Sequence, residues 1–66
     1  MNKVAGYRKM LGKTQAQMAE LFKISTQSYW QKENGIVNFS DKEKIIFKKM
    51  LQNYFPSITI DEIFFS

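Results

Sequence analysis

Four times in 66 residues a hydroxyl side chain stands where a helix could begin, and three of those times a Glu or Gln follows three positions later. Thr14 with Gln17, Ser40 with Glu43 and Thr59 with Glu62 read as capping boxes: the hydroxyl accepts one free N–H of the first turn and the longer side chain reaches back to the cap's own N–H. Ser25 is the fourth start, as a simple N-cap. Starts this closely spaced leave room only for short helices, and the pattern predicts five. The first runs from about Asn2 to Leu11, with Val4, Tyr7 and Leu11 on one stripe and Gly12 where a C-terminus favours positive φ. The second follows Thr14 and carries a core stripe of Met18, Ala19, Leu21 and Phe22. The third runs from Ser25 to about Glu33, and Asn34-Gly35 then turns the chain. Ile36 to Phe39 has no helical period and reads as an extended loop. The fourth helix runs from Ser40 to about Asn53, with Ile46, Phe47, Met50 and Tyr54 inward, Lys42, Lys44, Lys48 and Lys49 toward solvent, and Pro56 as its stop. The fifth is Ile60 to Phe64. No strand-type alternation persists, so the expected fold is all-α, one domain over residues 1–66.

A chain this short can hold only one small core. Its 44% hydrophobic and 15% aromatic content is too high for a disordered tail. Cysteine and histidine are absent, which removes disulfides, thiol nucleophiles, imidazole bases and the usual zinc and haem ligand sets. We therefore expect no enzyme activity, no metal and no cofactor. The longest apolar run, Ile58 to Phe65, is broken by Thr59, Asp61 and Glu62, and the basic N-terminus has no apolar stretch behind it, so neither a membrane span nor a signal peptide is expected and the cytoplasm is the expected location. The net charge of +4 lies in the first half, where Lys3, Arg8, Lys9, Lys13, Lys23 and Lys32 face only Glu20 and Glu33. In the second half Lys42, Lys44, Lys48 and Lys49 balance Asp41, Glu43, Asp61 and Glu62. A basic half suits a polyanionic partner, although a charge of this size also serves plain solubility.

Thr14 to Gly35 joins two short helices by about three residues, with a small residue, Ala19, where they would cross closely. Thr26, Gln27, Ser28 and Gln31 give the second of these helices a polar face. A glutamine amide can bond adenine in bidentate fashion and a hydroxyl can read either base edge, so this face is a candidate base reader. The same residues would equally make an ordinary solvated face.

From Arg8 to Phe64 the sequence resembles the phage repressor and Cro type of helix-turn-helix protein, the XRE or lambda-repressor-like family. The residues that carry the likeness are Arg8, Gly12, Thr14-Gln15, Met18-Ala19, Ile24-Ser25, Tyr29, Glu33-Asn34-Gly35 and Ile58 to Ile63, and the run Tyr29 to Gly35 with Phe39 is similar to Cro-like proteins from phages of Gram-positive bacteria. The resemblance implies a compact five-helix lambda-repressor-like domain that regulates transcription by laying its third helix in the major groove of an operator half-site. It implies base contacts from Thr26, Gln27, Ser28 and Gln31. Phosphate contacts would come from Gln15, Lys13, Asn34 and Gly35, with Gln15 also buttressing the third helix and backbone amides offered by the Asn34-Gly35 turn. Arg8 and Glu33 would form a structural ion pair.

Two positions depart from the family's pattern. Lys23 stands where glycine is usual, which predicts a differently wound turn. Lys32 and Trp30 exchange the usual apolar and polar character of their positions, which predicts a somewhat rotated third helix with Trp30 partly buried, in the core, against sugars or toward a partner. Family members with a second, dimerising or self-cleaving domain are longer, so a single-domain Cro-type repressor is expected. It would pair as a homodimer, at least on DNA, through Ile63, Phe64 and Phe65, with a cognate phage repressor as a further candidate partner. A protein-binding anti-repressor or antitoxin on the same fold is the alternative.

Overall fold

Helix starts follow the side chains that can cap them. In the computed structural model, which describes residues 2–65, the chain forms α1 (Lys3–Met10), α2 (Gln15–Phe22), α3 (Thr26–Glu33), α4 (Asp41–Leu51) and α5 (Ile60–Phe64), with no strand among the described residues. Met1 and Ser66, the ends of the expected 1–66 domain, lie outside the described residues. All three capping boxes form. Ser25 Oγ accepts from Ser28 N at 3.0 Å, and Asn2 Oδ1 caps α1 by accepting from Ala5 N at 3.0 Å. Each cap contributes about 1 kcal/mol, which matters for helices too short to persist alone.

The ends of α1, α2 and α3 share one geometry. Lys13 N donates to Arg8 O at 3.2 Å and Gly12 N to Lys9 O at 3.0 Å; Ile24 N donates to Ala19 O at 3.0 Å and Lys23 N to Glu20 O at 3.1 Å; Ile36 N donates to Gln31 O at 2.9 Å and Gly35 N to Lys32 O at 3.2 Å. These paired bonds make a Schellman motif, which requires one left-handed residue. Gly12 (φ 71°) and Gly35 (φ 79°) supply it at α1 and α3, and Lys23 (φ 59°) supplies it at α2. The expectation of a differently wound turn is thus overturned. Two backbone hydrogen bonds, together with Ile24 packed against the core, outweigh a left-handed cost of about 1 kcal/mol for lysine.

Tyr29, Phe47, Met18, Leu51 and Ile63 are fully buried, with Val4, Ala19, Phe22, Phe39 and Ile58 around them. Phe39, from the loop before α4, sits at the centre of the aromatic cluster. Its ring centroid lies 6.2 Å from Phe22, 6.0 Å from Tyr29 and 5.2 Å from Phe64. The α2–α3 pair packs most extensively, while α5 rests on α1 and α4. No helix among the described residues is long and apolar enough to cross a membrane.

Two stripes read from the sequence shift. Met18, Phe22 and Ala19 fill one arc of α2, and Leu21, a further 100° round from Phe22, falls outside it and is exposed. In α4 the buried line is Glu43, Phe47 and Leu51, spaced by four, so Ile46 and Met50 flank it. The helix ends at Leu51, with Gln52 as its cap, ahead of Pro56, and the turn beyond it leaves Tyr54 exposed. Of the four lysines of α4, Lys42 and Lys49 are exposed and Lys44 and Lys48 half-buried.

Candidate nucleic-acid interface

The rotation of α3 about its axis is fixed by what its inner side holds. Tyr29 and Glu33, one turn apart, are buried. The Glu33 carboxylate accepts from Arg8 Nε at 2.7 Å and Arg8 Nη2 at 3.3 Å, and from Gln15 Nε2 at 3.0 Å. Asn2 Nδ2 donates to the Glu33 carbonyl at 2.8 Å, and Arg8 Nη1 donates to the Lys13 carbonyl at 2.8 Å. The ion pair implied by the family resemblance is therefore the centre of a network that joins both ends of α1, the start of α2 and the end of α3.

Burial pushes the Glu33 carboxyl up, but the hydrogen bonds from Arg8 and Gln15 outweigh it and hold Glu33 below the ordinary carboxylate value of 4.5. The same bond to Glu33 holds Arg8 above its ordinary value against desolvation. Burial first, and then the Glu33 carboxylate, push the Tyr29 phenol far above its ordinary 10.0, so it stays neutral. Its hydroxyl oxygen is buried without a hydrogen-bond partner among the described residues.

A second tie was not legible in the sequence. Lys32 Nζ meets Glu43 Oε1 at 2.6 Å and Oε2 at 2.8 Å, and Glu43 Oε1 also accepts from Ser40 N at 2.9 Å as the capping box of α4. Burial raises the Glu43 carboxyl, while the bonds from Lys32 and Ser40 bring it below its ordinary value. The Lys32 side chain, 16% exposed, therefore runs to α4 and places its ammonium on the Glu43 carboxylate.

With Tyr29 and Glu33 inward, Thr26 and Gln27 are exposed and Ser28 and Gln31 half-buried, all four on the free side or first turn of α3. Trp30 is 45% exposed, so its ring is only partly covered, and turning it further inward would turn Tyr29 or Glu33 out. The residues expected at phosphates divide. Lys13 precedes α2, and Gln15 stands in its first turn as the buttress of Glu33. Asn34 and Gly35 are exposed, but their amides donate to Trp30 O and Lys32 O, and Asn34 Nδ2 also donates to Trp30 O at 2.9 Å. The backbone amides expected to reach a phosphate from this turn are therefore committed to closing α3.

At the other end of the chain Ile63 is 0% exposed and Phe64 packs on Phe39 and Phe47. Ile63 is thus core and not an interface residue, because the first turn of α5 lies against α1 and α4. Phe65 is 66% exposed, with Lys44 Nζ 4.7 Å above its ring. No group of three or more His, Cys, Asp or Glu side chains that could hold a metal ion occurs among the described residues. Comparison with protein-family models, with curated proteins and with solved structures finds no match in any of the three.

Proposed function

We propose that this chain is a sequence-specific DNA-binding repressor of Cro type, with a lambda-repressor-like helix-turn-helix in α2 and α3, acting in the cytoplasm on a phage operator. The observation that carries the reading is the fixed rotation of α3. Tyr29 and the Arg8–Glu33–Gln15 network occupy one side, so the other presents amides and hydroxyls of the type that read base edges, free of acidic charge. Thr26, Gln27, Ser28 and Gln31 would face bases, and Lys13, with the start of α2, would face phosphate. Gln15 would act chiefly by holding Glu33. The basic first half supplies the long-range attraction.

A homodimer on DNA fits this role, because two copies on half-sites one helical turn apart select an operator better than one. Phe65, exposed beside Val37, Lys44 and Phe64 along one cleft, is the residue that would meet the second copy. Phe65→Glu should leave the helical content unchanged and weaken binding to a palindrome more than to a single half-site.

The test of the function is selection of bound duplexes from a random pool, followed by a salt titration. A defined half-site, with affinity falling steeply as salt rises, is expected. Failure to retain any duplex at low salt overturns the proposal. The exposed aromatics Tyr54 and Phe55, which line a groove with Tyr7 and Pro56, favour the second reading, a protein-binding anti-repressor or antitoxin.

A further inference from the structure

Trp30 is the chain's one tryptophan, and it is close to half exposed on a helix that buries only Tyr29 and Glu33. Among the described residues five ring–ring contacts join Phe22, Tyr29, Phe39, Phe47 and Phe64, and none includes Trp30. Its exposure is imposed by its neighbours. A rotation of about 100° that buried the indole would carry Tyr29 out of the core and pull Glu33 from Arg8. The carbonyl of Trp30 accepts from both Asn34 N and Asn34 Nδ2, so the last turn of α3 cannot fray to relieve it. Three and four residues away on the same flank lie Gln27, Thr26 and Asn34, all exposed and uncharged.

A rigid ring held in water beside amide and hydroxyl groups is suited to a partner surface that alternates hydrogen-bonding edges with apolar atoms. A duplex groove is such a surface: base edges carry donors and acceptors, and thymine methyls and deoxyribose carbons lie between them. Resting on the DNA-binding reading above, we propose that Trp30 is a further DNA-contacting residue that packs its indole ring against the apolar atoms of a nucleotide, next to the base read by Gln27. The contact is apolar, so it adds affinity that does not depend on counterion release. Because the ring is already exposed and its backbone fixed, it adds this affinity with little ordering cost.

The experiment uses the full chain and the duplex recovered by selection, and follows the emission of the single tryptophan together with affinity. Saturating duplex should shift the Trp30 emission to the blue or quench it. Trp30→Ala should weaken binding about ten-fold at every salt concentration, leaving the slope of log K against log salt unchanged, while Trp30→Phe keeps most of the affinity and the far-ultraviolet spectra of both match the parent. Replacing thymine by uracil in the half-site separates the two sources of apolar atoms. A loss in the parent that is absent in Trp30→Ala assigns the methyl, and an unchanged affinity assigns the sugar. Parent-like affinity of Trp30→Ala, with emission indifferent to saturating duplex, overturns the role of Trp30 and leaves the DNA reading standing. Absence of any duplex binding by the parent removes both.

Discussion

Lys32 holds both carboxylate oxygens of Glu43, at 2.6 and 2.8 Å, and the nearer of them also accepts the Ser40 amide. One buried carboxylate therefore starts α4 and ties it to α3 across the loop that carries Phe39. Removing Lys32 leaves Glu43 buried with only its cap bonds. Lys32→Ala should lower stability by about 2 to 3 kcal/mol, more than an exposed pair contributes. The double variant Lys32→Met, Glu43→Leu should recover much of this, because it leaves no stranded charge. Urea denaturation of the parent, Lys32→Met, Glu43→Leu and the double variant measures the coupling, and losses that simply add contradict the tie.

Arg8 and Glu33 make the larger network. Arg8→Ala removes three hydrogen bonds at once, two to Glu33 and one to the Lys13 carbonyl, and leaves the buried Glu33 carboxylate without its counter-charge, held only by the Gln15 amide. We expect a loss of about 3 kcal/mol or more. Glu33→Gln should cost less, since the amide oxygen still accepts from Arg8. Thermal unfolding of the two variants checks the order, and equal losses contradict the assignment.

Both carboxylates make the fold acid-labile. Glu33 and Glu43 sit below the ordinary 4.5 when folded. Their contribution is therefore complete above the unfolded carboxylate range and is lost as pH falls through the lower folded values. Arg8, held above an already high value, and Tyr29, held neutral, do not titrate there. The unfolding midpoint should be flat near neutrality and fall as pH drops below about 4.5, and Glu43→Gln should flatten that fall. A midpoint unchanged down to about pH 3 contradicts it.

Lys23 occupies a left-handed position that glycine holds in the two sibling turns. Lys23→Gly should stabilise the protein by about 0.5 kcal/mol, the relief of the side-chain clash less the entropy that glycine loses on folding. Lys23→Val, branched at Cβ, should cost more than 1 kcal/mol, roughly. Denaturation midpoints with unchanged slopes are the measurement.

Helix starts were legible because each depends on a capping side chain, joined in three of the five by a partner three residues on, as Thr14 and Gln17 show. Stripe phase was less legible, because a short helix offers few apolar residues to set it: one extra leucine, Leu21, misplaced the edge of α2, and Leu51 went unread beside Met50. The Lys32–Glu43 tie joins residues 11 apart through a loop, and no local pattern encodes such a contact. The pattern places Asn2 at the start of a helix, but nothing local encodes its donation to the Glu33 carbonyl 31 residues away. The placement of α3 rests largely on contacts of this second kind.

Base readers and phosphate binders on the proposed surface should separate cleanly in one experiment. Gln27 is exposed and Gln31 half-buried on the free side of α3, and neither side chain supports the buried network, so replacing either by alanine should leave the fold intact. Each substitution should cost about 1 to 3 kcal/mol on the selected half-site while scarcely changing affinity for random duplex. Lys13→Ala removes a charge in front of α2 and keeps the backbone carbonyl that Arg8 uses. It should weaken selected and random duplexes alike and lower the salt slope by about 1. Gln15 is unsuitable as the phosphate probe, since its amide also holds Glu33 and its loss would mix stability with binding. If Gln27→Ala and Lys13→Ala change selected and random binding in the same ratio, α3 does not lie in the groove as proposed.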